Sequence, residues 1–189
     1  MLHSNRFTAI LDACVLYPAP LRDLLLSLAQ SNLFKPKWTE CIQEEWVSNL
    51  LEERPELSPD RILRTVNLMN EGFEDSLVLN YEEIIPSLNL PDPNDNHVLA
   101  AAIRCNADVI VTANLKDFPS DYLSSYDIEV QSPDQFIYHL IELDNRAALE
   151  ALVAQSQRLK NPPQSLTDIL ATLENNGLTE SVKLFRTLI

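Results

Sequence analysis

The stretch Val109-Ile110-Val111-Thr112, running into Ala113-Asn114-Leu115-Lys116-Asp117, decides the fold class. Four β-branched residues in a row favour extended backbone. Without polar alternation they read as a strand buried on both faces, the habit of a central parallel sheet. Residues 7–11, Phe7-Thr8-Ala9-Ile10-Leu11, form a second apolar run that ends on Asp12. Residues 128–130 and 76–79 are further short strand candidates. Helical periodicity fills the gaps. Leu21, Leu24, Leu25 and Leu28 share one helical face, and Ile42, Trp46 and Leu50 share another in a helix over 38–51 that Thr39 can cap. Over 57–72, Ser58-Pro59 gives an N-cap with proline at the first helical position, and Gly72 gives the stop. Residues 96–106, opened by Asp95 as cap, and 133–143 complete the set. Strands alternating with helices predict a three-layer α/β/α sandwich with a central parallel sheet.

Composition narrows the chemistry. The 189 residues carry a net charge of −14, so binding of nucleic acid or anionic membrane by bulk charge is excluded. The chain has two glycines, Gly72 and Gly177, so neither a GxGxxG nor a Walker A phosphate loop can be written. Cys14, Cys41 and Cys105 are far apart and form no CxxC, which disfavours structural zinc and suits a reducing compartment. No apolar run approaches the length of a membrane span, and no signal peptide is evident, so a cytoplasmic protein without membrane association is expected.

The acidity is confined to the first part. Residues 1–144 hold 24 acidic against 9 basic side chains, whereas residues 145–189 hold 4 against 5. We therefore expect a domain over 1–144 and a small helical extension over 145–189. The extension reads as helices near 146–159, 165–175 and 178–188, with a break at Asn161-Pro162-Pro163 and a turn at Asn176-Gly177. Ser165 and Asp168 are spaced as a capping box. Two short amphipathic helices cannot stand alone in water, so this tail is expected to dock on its own domain or on a second copy.

In parallel α/β sheets, functional groups gather beyond the carboxyl ends of the strands. Asp12 follows the first strand, Asp117 lies just past the strongest one, and the crossover puts Asp95 on the same rim. Glu45 lies one helix after the first strand. Converging carboxylates repel one another unless a cation is present, and a hard divalent ion with oxygen ligands resolves the conflict. Such sites suit phosphoryl chemistry. Against this, Asp95 can be a plain helix cap, Asp92 a turn residue, and Glu44-Glu45 a solvated pair. His3 and His139 are isolated, His97 reads as a surface or supporting group, and Trp38 and Trp46 as packing residues. Cys14 has no base placed beside it, and an aspartyl-nucleophile phosphatase would want an acid where Cys14 stands. Lys116 and Arg22 are the candidate cations for a polyanionic substrate.

The ordered set of motifs resembles the PIN-domain nucleases over about residues 6–140. Leu11-Asp12-Ala-Cys14-Val-Leu-Tyr17-Pro resembles the family's first motif, and Ile42-Gln-Glu-Glu45-Trp its second. Asp92-Pro-Asn-Asp95-Asn-His-Val-Leu-Ala-Ala-Ala102 resembles its third, and Ala107-Asp-Val-Ile-Val-Thr112-Ala-Asn114-Leu-Lys-Asp117-Phe118 its fourth. Within the family the chain is most similar to VapC-like toxins of type II toxin–antitoxin systems that carry a helical C-terminal extension. The resemblance implies Mg²⁺- or Mn²⁺-dependent hydrolysis of RNA phosphodiesters, a cognate antitoxin and a homodimer. By position, Asp12, Glu45, Asp95 and Asp117 are the catalytic quartet, with Asp12, Asp95 and Asp117 as metal ligands. Glu44 in place of Glu45, and Asn114 in place of Asp117, stay open. Cys14 departs from the usual Asn, Ser or Thr. The alternative is a degenerate PIN-like fold that serves as a protein-binding module.

Overall fold

The computed structural model describes residues 7–160 and 162–189; His3 and Asn161 lie outside them. Four parallel strands form one sheet: β1 (Thr8–Leu11), β2 (Lys35–Lys37), β3 (Val109–Val111) and β4 (Glu129–Gln131). Their spatial order is β2-β1-β3-β4. Ile10 pairs with Ile110 and Leu11 with Val111, while Thr8 pairs with Lys35 on the other side. β1 and β3 are central, and their inward residues from Ala9 to Leu11 and Val109 to Val111 are all buried. Because the chain leaves β1 toward β2 and later returns to the far side of β1, the strand order reverses between β1 and β3. That switch point is where a parallel α/β sheet opens a crevice at its carboxyl edge.

Ten helices surround the sheet among the described residues: α1 (Ala13–Leu16), α2 (Ala19–Gln30), α3 (Glu40–Glu53), α4 (Pro59–Gly72), α5 (Asn96–Arg104), α6 (Ser120–Leu123), α7 (Pro133–Leu143), α8 (Asn145–Arg158), α9 (Leu166–Asn175) and α10 (Thr179–Leu188). Helix α5 packs on β1 and β3, and α2 on β2. Its alanines Ala100, Ala101 and Ala102 are fully buried, so small side chains let α5 lie close to the sheet. Phe34 meets Phe136 edge to face at 4.9 Å, and Phe7 meets Phe136 at 5.9 Å, joining the amino edge of the sheet to α7. None of the described helices is long and apolar enough to cross a membrane.

Several local expectations are corrected. Residues 76–79 do not form a strand; they make one parallel bridge, Leu77 with Trp38, because Leu77 and Leu79 face solvent and Asn80 turns to a positive φ of 58°. The strand that does pair there is β2, Lys35-Pro36-Lys37. Its composition argues against a strand, yet an edge position tolerates a proline that cannot donate to a ladder. Ser58 precedes α4 as expected but its side chain makes no cap bond, and Gly72 is the last helical residue while Phe73 takes the cap position with φ −138°.

The tail is three helices folded back on the domain. Helix α8 packs on α2 and α7, and α10 on α7. Gln155 Nε2 donates to the Pro20 carbonyl at 3.0 Å, and Arg158 Nη2 reaches Asp23 Oδ1 at 3.1 Å. The capping box at Ser165 and Asp168 forms, and Gly177 supplies φ 90° for the turn between α9 and α10. Helix α10 has no side-chain cap of its own; instead Asp134 of α7 accepts the amides of Glu180 and Ser181 at 2.9 and 2.8 Å.

Candidate active site

Asp12 stands at the switch point. Its amide donates to the Val111 carbonyl at 3.1 Å, extending the β1–β3 ladder by one residue. The chain then turns into α1, and the carboxylate becomes that helix's N-cap: Oδ1 accepts the Ala13 amide at 2.7 Å. Oδ2 accepts the Thr112 hydroxyl at 2.7 Å and the Cys14 thiol at 3.2 Å. The side chain of Asp12 is 5% exposed, so these donors replace the water it loses.

Thr112 is the support that the sequence concealed. It directly follows β3, is fully buried, and its hydroxyl accepts the Asn114 amide at 3.0 Å while donating to Asp12. A β-branched residue after Val-Ile-Val reads as strand, and only the β1–β3 pairing reveals its second role. Cys14 adds a weaker bond. Its sulfur also accepts the Ala113 amide at 3.3 Å, and burial followed by the Asp12 charge pushes the thiol up to about 12. The thiol therefore stays protonated as a donor to the carboxylate.

Asp95 ends a short 3₁₀ turn, Pro93–Asp95, directly ahead of α5. The expectation that it caps α5 is not met: its side chain makes no cap bond. The turn is instead organised by Asp92, whose Oδ1 accepts the Asn94 amide at 2.9 Å, and by buried Asn96, which accepts from the Leu90 amide at 3.1 Å and donates to the Leu88 carbonyl at 3.3 Å. The half-buried Asp95 carboxyl is pushed up to about 6, first by desolvation and then by the charges of Asp12, Asp92, Asp117 and Glu45. The fold therefore places Asp12, Asp117 and Glu45 within electrostatic reach of Asp95.

Asp117 is half-buried at the end of the 3₁₀ turn Leu115–Asp117, and its amide donates to the Asn114 carbonyl at 3.0 Å. Glu45 is exposed on α3 with Oε2 3.6 Å from His97 Nε2. His97 thus stands beside an acid, and its Nδ1 is buried without a hydrogen-bond partner among the described residues. Glu44 lies elsewhere, along a cleft between α3 and α4. Lys116 is exposed, but Arg22 is not available to a substrate. Its Nη1 donates to the Leu16 carbonyl at 2.5 Å and the Tyr17 carbonyl at 3.4 Å, and its guanidinium lies 4.5 Å from the Trp46 ring centroid. That corrects the expectation of a surface cation: the side chain is spent on the end of α1, and burial lowers it to about 10.

Among the described residues no three His, Cys, Asp or Glu side chains close around a single point as a ready cage. Mg²⁺ needs no such cage, since it keeps several waters and takes one or two carboxylates. The all-oxygen donor set, with uncompensated charge on half-buried Asp95, fits a hard divalent cation.

A four-stranded parallel sheet packed between helices defines the class: a three-layer α/β/α fold. The comparisons place it further, and the chain belongs to the PIN domain family, whose signature matches residues 8–116. The family described as the VapC50 C-terminal domain matches residues 133–187, making this a VapC-like member with a helical extension. Over 102 residues, 52% of this chain, it is 36% identical to the "Putative ribonuclease VapC50" of Mycobacterium tuberculosis. The matched region spans 60% of that relative's length. No solved structure matches the chain.

Proposed function

We propose that this chain is a divalent-metal-dependent endoribonuclease, the toxin of a type II toxin–antitoxin pair, working in the cytoplasm as a homodimer. The observation that carries the reading is Asp95: a carboxylate at a helix start that caps nothing and is raised to about 6 by burial and by Asp12, Asp92, Asp117 and Glu45. A carboxylate that is first desolvated and then repelled by its neighbours is a destabilising arrangement that a cation-binding role explains. The name of the relative in Mycobacterium tuberculosis supports ribonuclease chemistry. Residues 1–144 are proposed as the nuclease unit and 145–189 as its extension.

Asp12, Asp95 and Asp117 would hold Mg²⁺ or Mn²⁺. When bound, such an ion polarises a phosphodiester and lowers the pKa of a bound water. Asp12, fixed by the Ala13 amide and the Thr112 hydroxyl, presents an oriented anionic group that does not reorganise during the reaction. Glu45, exposed and beside His97, would orient the attacking water.

The test is cleavage of a fluorescent RNA by the wild type and Asp12→Asn, with Mn²⁺ calorimetry on both. Wild type is expected to bind Mn²⁺ and cleave, and Asp12→Asn to lose both while keeping its circular dichroism. A wild type that binds no Mn²⁺ or Mg²⁺ would establish the alternative, a degenerate protein-binding module.

A further inference from the structure

His97 is the second residue of α5, between Asn96 and Val98, both buried. Asn96 ties down the preceding loop through the Leu90 amide and the Leu88 carbonyl, and buried Ala100, Ala101 and Ala102 set the helix against β1 and β3. The imidazole is thus fixed at its backbone, and its side chain is only 13% exposed. Glu45 differs. Its neighbour Trp46 is fully buried, but the Glu45 side chain is 45% exposed, and among the described residues no hydrogen bond holds its carboxylate. A glutamate in that setting samples several rotamers. His97 Nε2, 3.6 Å from Glu45 Oε2, is the group placed to select one.

The two ring nitrogens meet different surroundings. Nδ1 is buried without a hydrogen-bond partner among the described residues, while Nε2 faces the carboxylate. A neutral imidazole has one N–H and one bare nitrogen. A proton on Nδ1 would be a buried donor without an acceptor, and it would turn the bare lone pair of Nε2 toward a negative charge. A proton on Nε2 removes both conflicts and makes a charge-assisted donor.

We propose that His97 is a positioning residue for the nuclease reaction: as the Nε2–H tautomer it donates to Glu45 and keeps that carboxylate beside Asp95. The proposal rests on the water-orienting role of Glu45. Because His97 follows Asp95 by two residues, a glutamate held by this ring stays next to the acidic rim. At 3.6 Å the contact lies just outside hydrogen-bond length, and such contacts often tighten when substrate binds.

Two measurements on the full chain test it. The first reads the imidazole nitrogen resonances of His97 in EDTA at pH 7.5. The Nε2–H tautomer is expected in the wild type, with the Nε2 signal displaced in Glu45→Gln. An Nδ1–H tautomer, or an Nε2 signal that Glu45→Gln leaves in place, overturns the proposal. The second reads RNA cleavage in Mn²⁺. His97→Phe keeps a ring and removes the donor, and is expected to lower kcat about tenfold or more with little change in KM. His97→Gln, whose amide N–H can take the place of Nε2–H, should recover most of the rate, and His97→Phe should cost nothing further in a Glu45→Gln background. A packing role predicts the opposite order, since phenylalanine removes an unpaired buried nitrogen. Wild-type kcat in His97→Phe, or full additivity with Glu45→Gln, overturns the positioning role. Absence of RNA cleavage by the wild type would instead remove the nuclease reading, while the imidazole resonances still decide the contact between His97 and Glu45.

Discussion

Replacing Asp95 by asparagine should stabilise the metal-free protein at neutral pH while removing its metal affinity. The Asp95 carboxyl is raised from 3.8 to about 6, led by desolvation and reinforced by four acidic neighbours. A folded-state pKa above the unfolded value means that the folded chain holds the proton more tightly. The cost is therefore absent below about pH 4, grows between about 4 and 6, and is full above that range. A shift of that size corresponds to about 3 kcal/mol when the group is fully ionised. Asp95 is only half-buried, so solvent screening reduces the expected gain to about 1–2 kcal/mol. Asparagine is nearly isosteric, and no cap bond is lost because Asp95 makes none. Urea denaturation in EDTA at pH 7.5 and pH 4 is the assay. The midpoint of Asp95→Asn should exceed that of the wild type at pH 7.5, the difference should vanish near pH 4, and added Mn²⁺ should reverse the order by stabilising only the wild type. A variant that is equally or less stable at pH 7.5 in EDTA would refute the reasoning that these acids repel one another in the native fold.

Two further outcomes follow from the hydrogen bonds around the site and the tail. Thr112→Val should destabilise by about 2–3 kcal/mol, or about 5–10 °C in Tm, since it removes a 2.7 Å bond to a buried carboxylate and strands the Asn114 amide, whereas Thr112→Ser should retain most of the stability; equal melting of Val and wild type would dismiss this role. Asp134→Ala should cost about 1–2 kcal/mol and speed amide exchange in α10 well before the sheet, because Asp134 supplies the cap that α10 lacks; unchanged exchange there would show that the cap is dispensable.

What the sequence carried was whatever depends on local pattern. Val109 to Thr112 and Phe7 to Leu11 announce buried parallel strands because burial on both faces leaves no room for polar alternation. Ser165 and Asp168 announce a capping box because both partners lie within one turn. Features that depend on a partner distant in the chain were not legible. Lys35-Pro36-Lys37 becomes a strand only because β1 offers it an edge. Thr112 becomes a support for Asp12 only across a separation of 100 residues. Asp95 illustrates the reverse error: its position looks like a cap, yet Asp92 and Asn96 shape the loop and leave its carboxyl unspent. The acids themselves were readable as positions on a rim, and their mutual influence on Asp95 follows from the fold.

The setting of Arg22 links these parts. Helix α1 has four residues, too few to persist on local hydrogen bonding. It is held at both ends by charges that oppose its dipole: Asp12 accepts the Ala13 amide at the amino end, and Arg22 donates to the Leu16 and Tyr17 carbonyls at the other. The cation that secures α1 lies on α2, stacked over Trp46 of α3, one residue from Glu45. Helix α2 is in turn fastened by α8 through Gln155 to Pro20 and Arg158 to Asp23 and Ser27. The orientation of Asp12 thus rests on a continuous set of contacts that begins in the C-terminal helices. This accounts physically for a tail that is nearly neutral beside a strongly acidic domain: its surface is shaped to brace α2, and Arg158 sets a cation against Asp23 on the face that α8 covers.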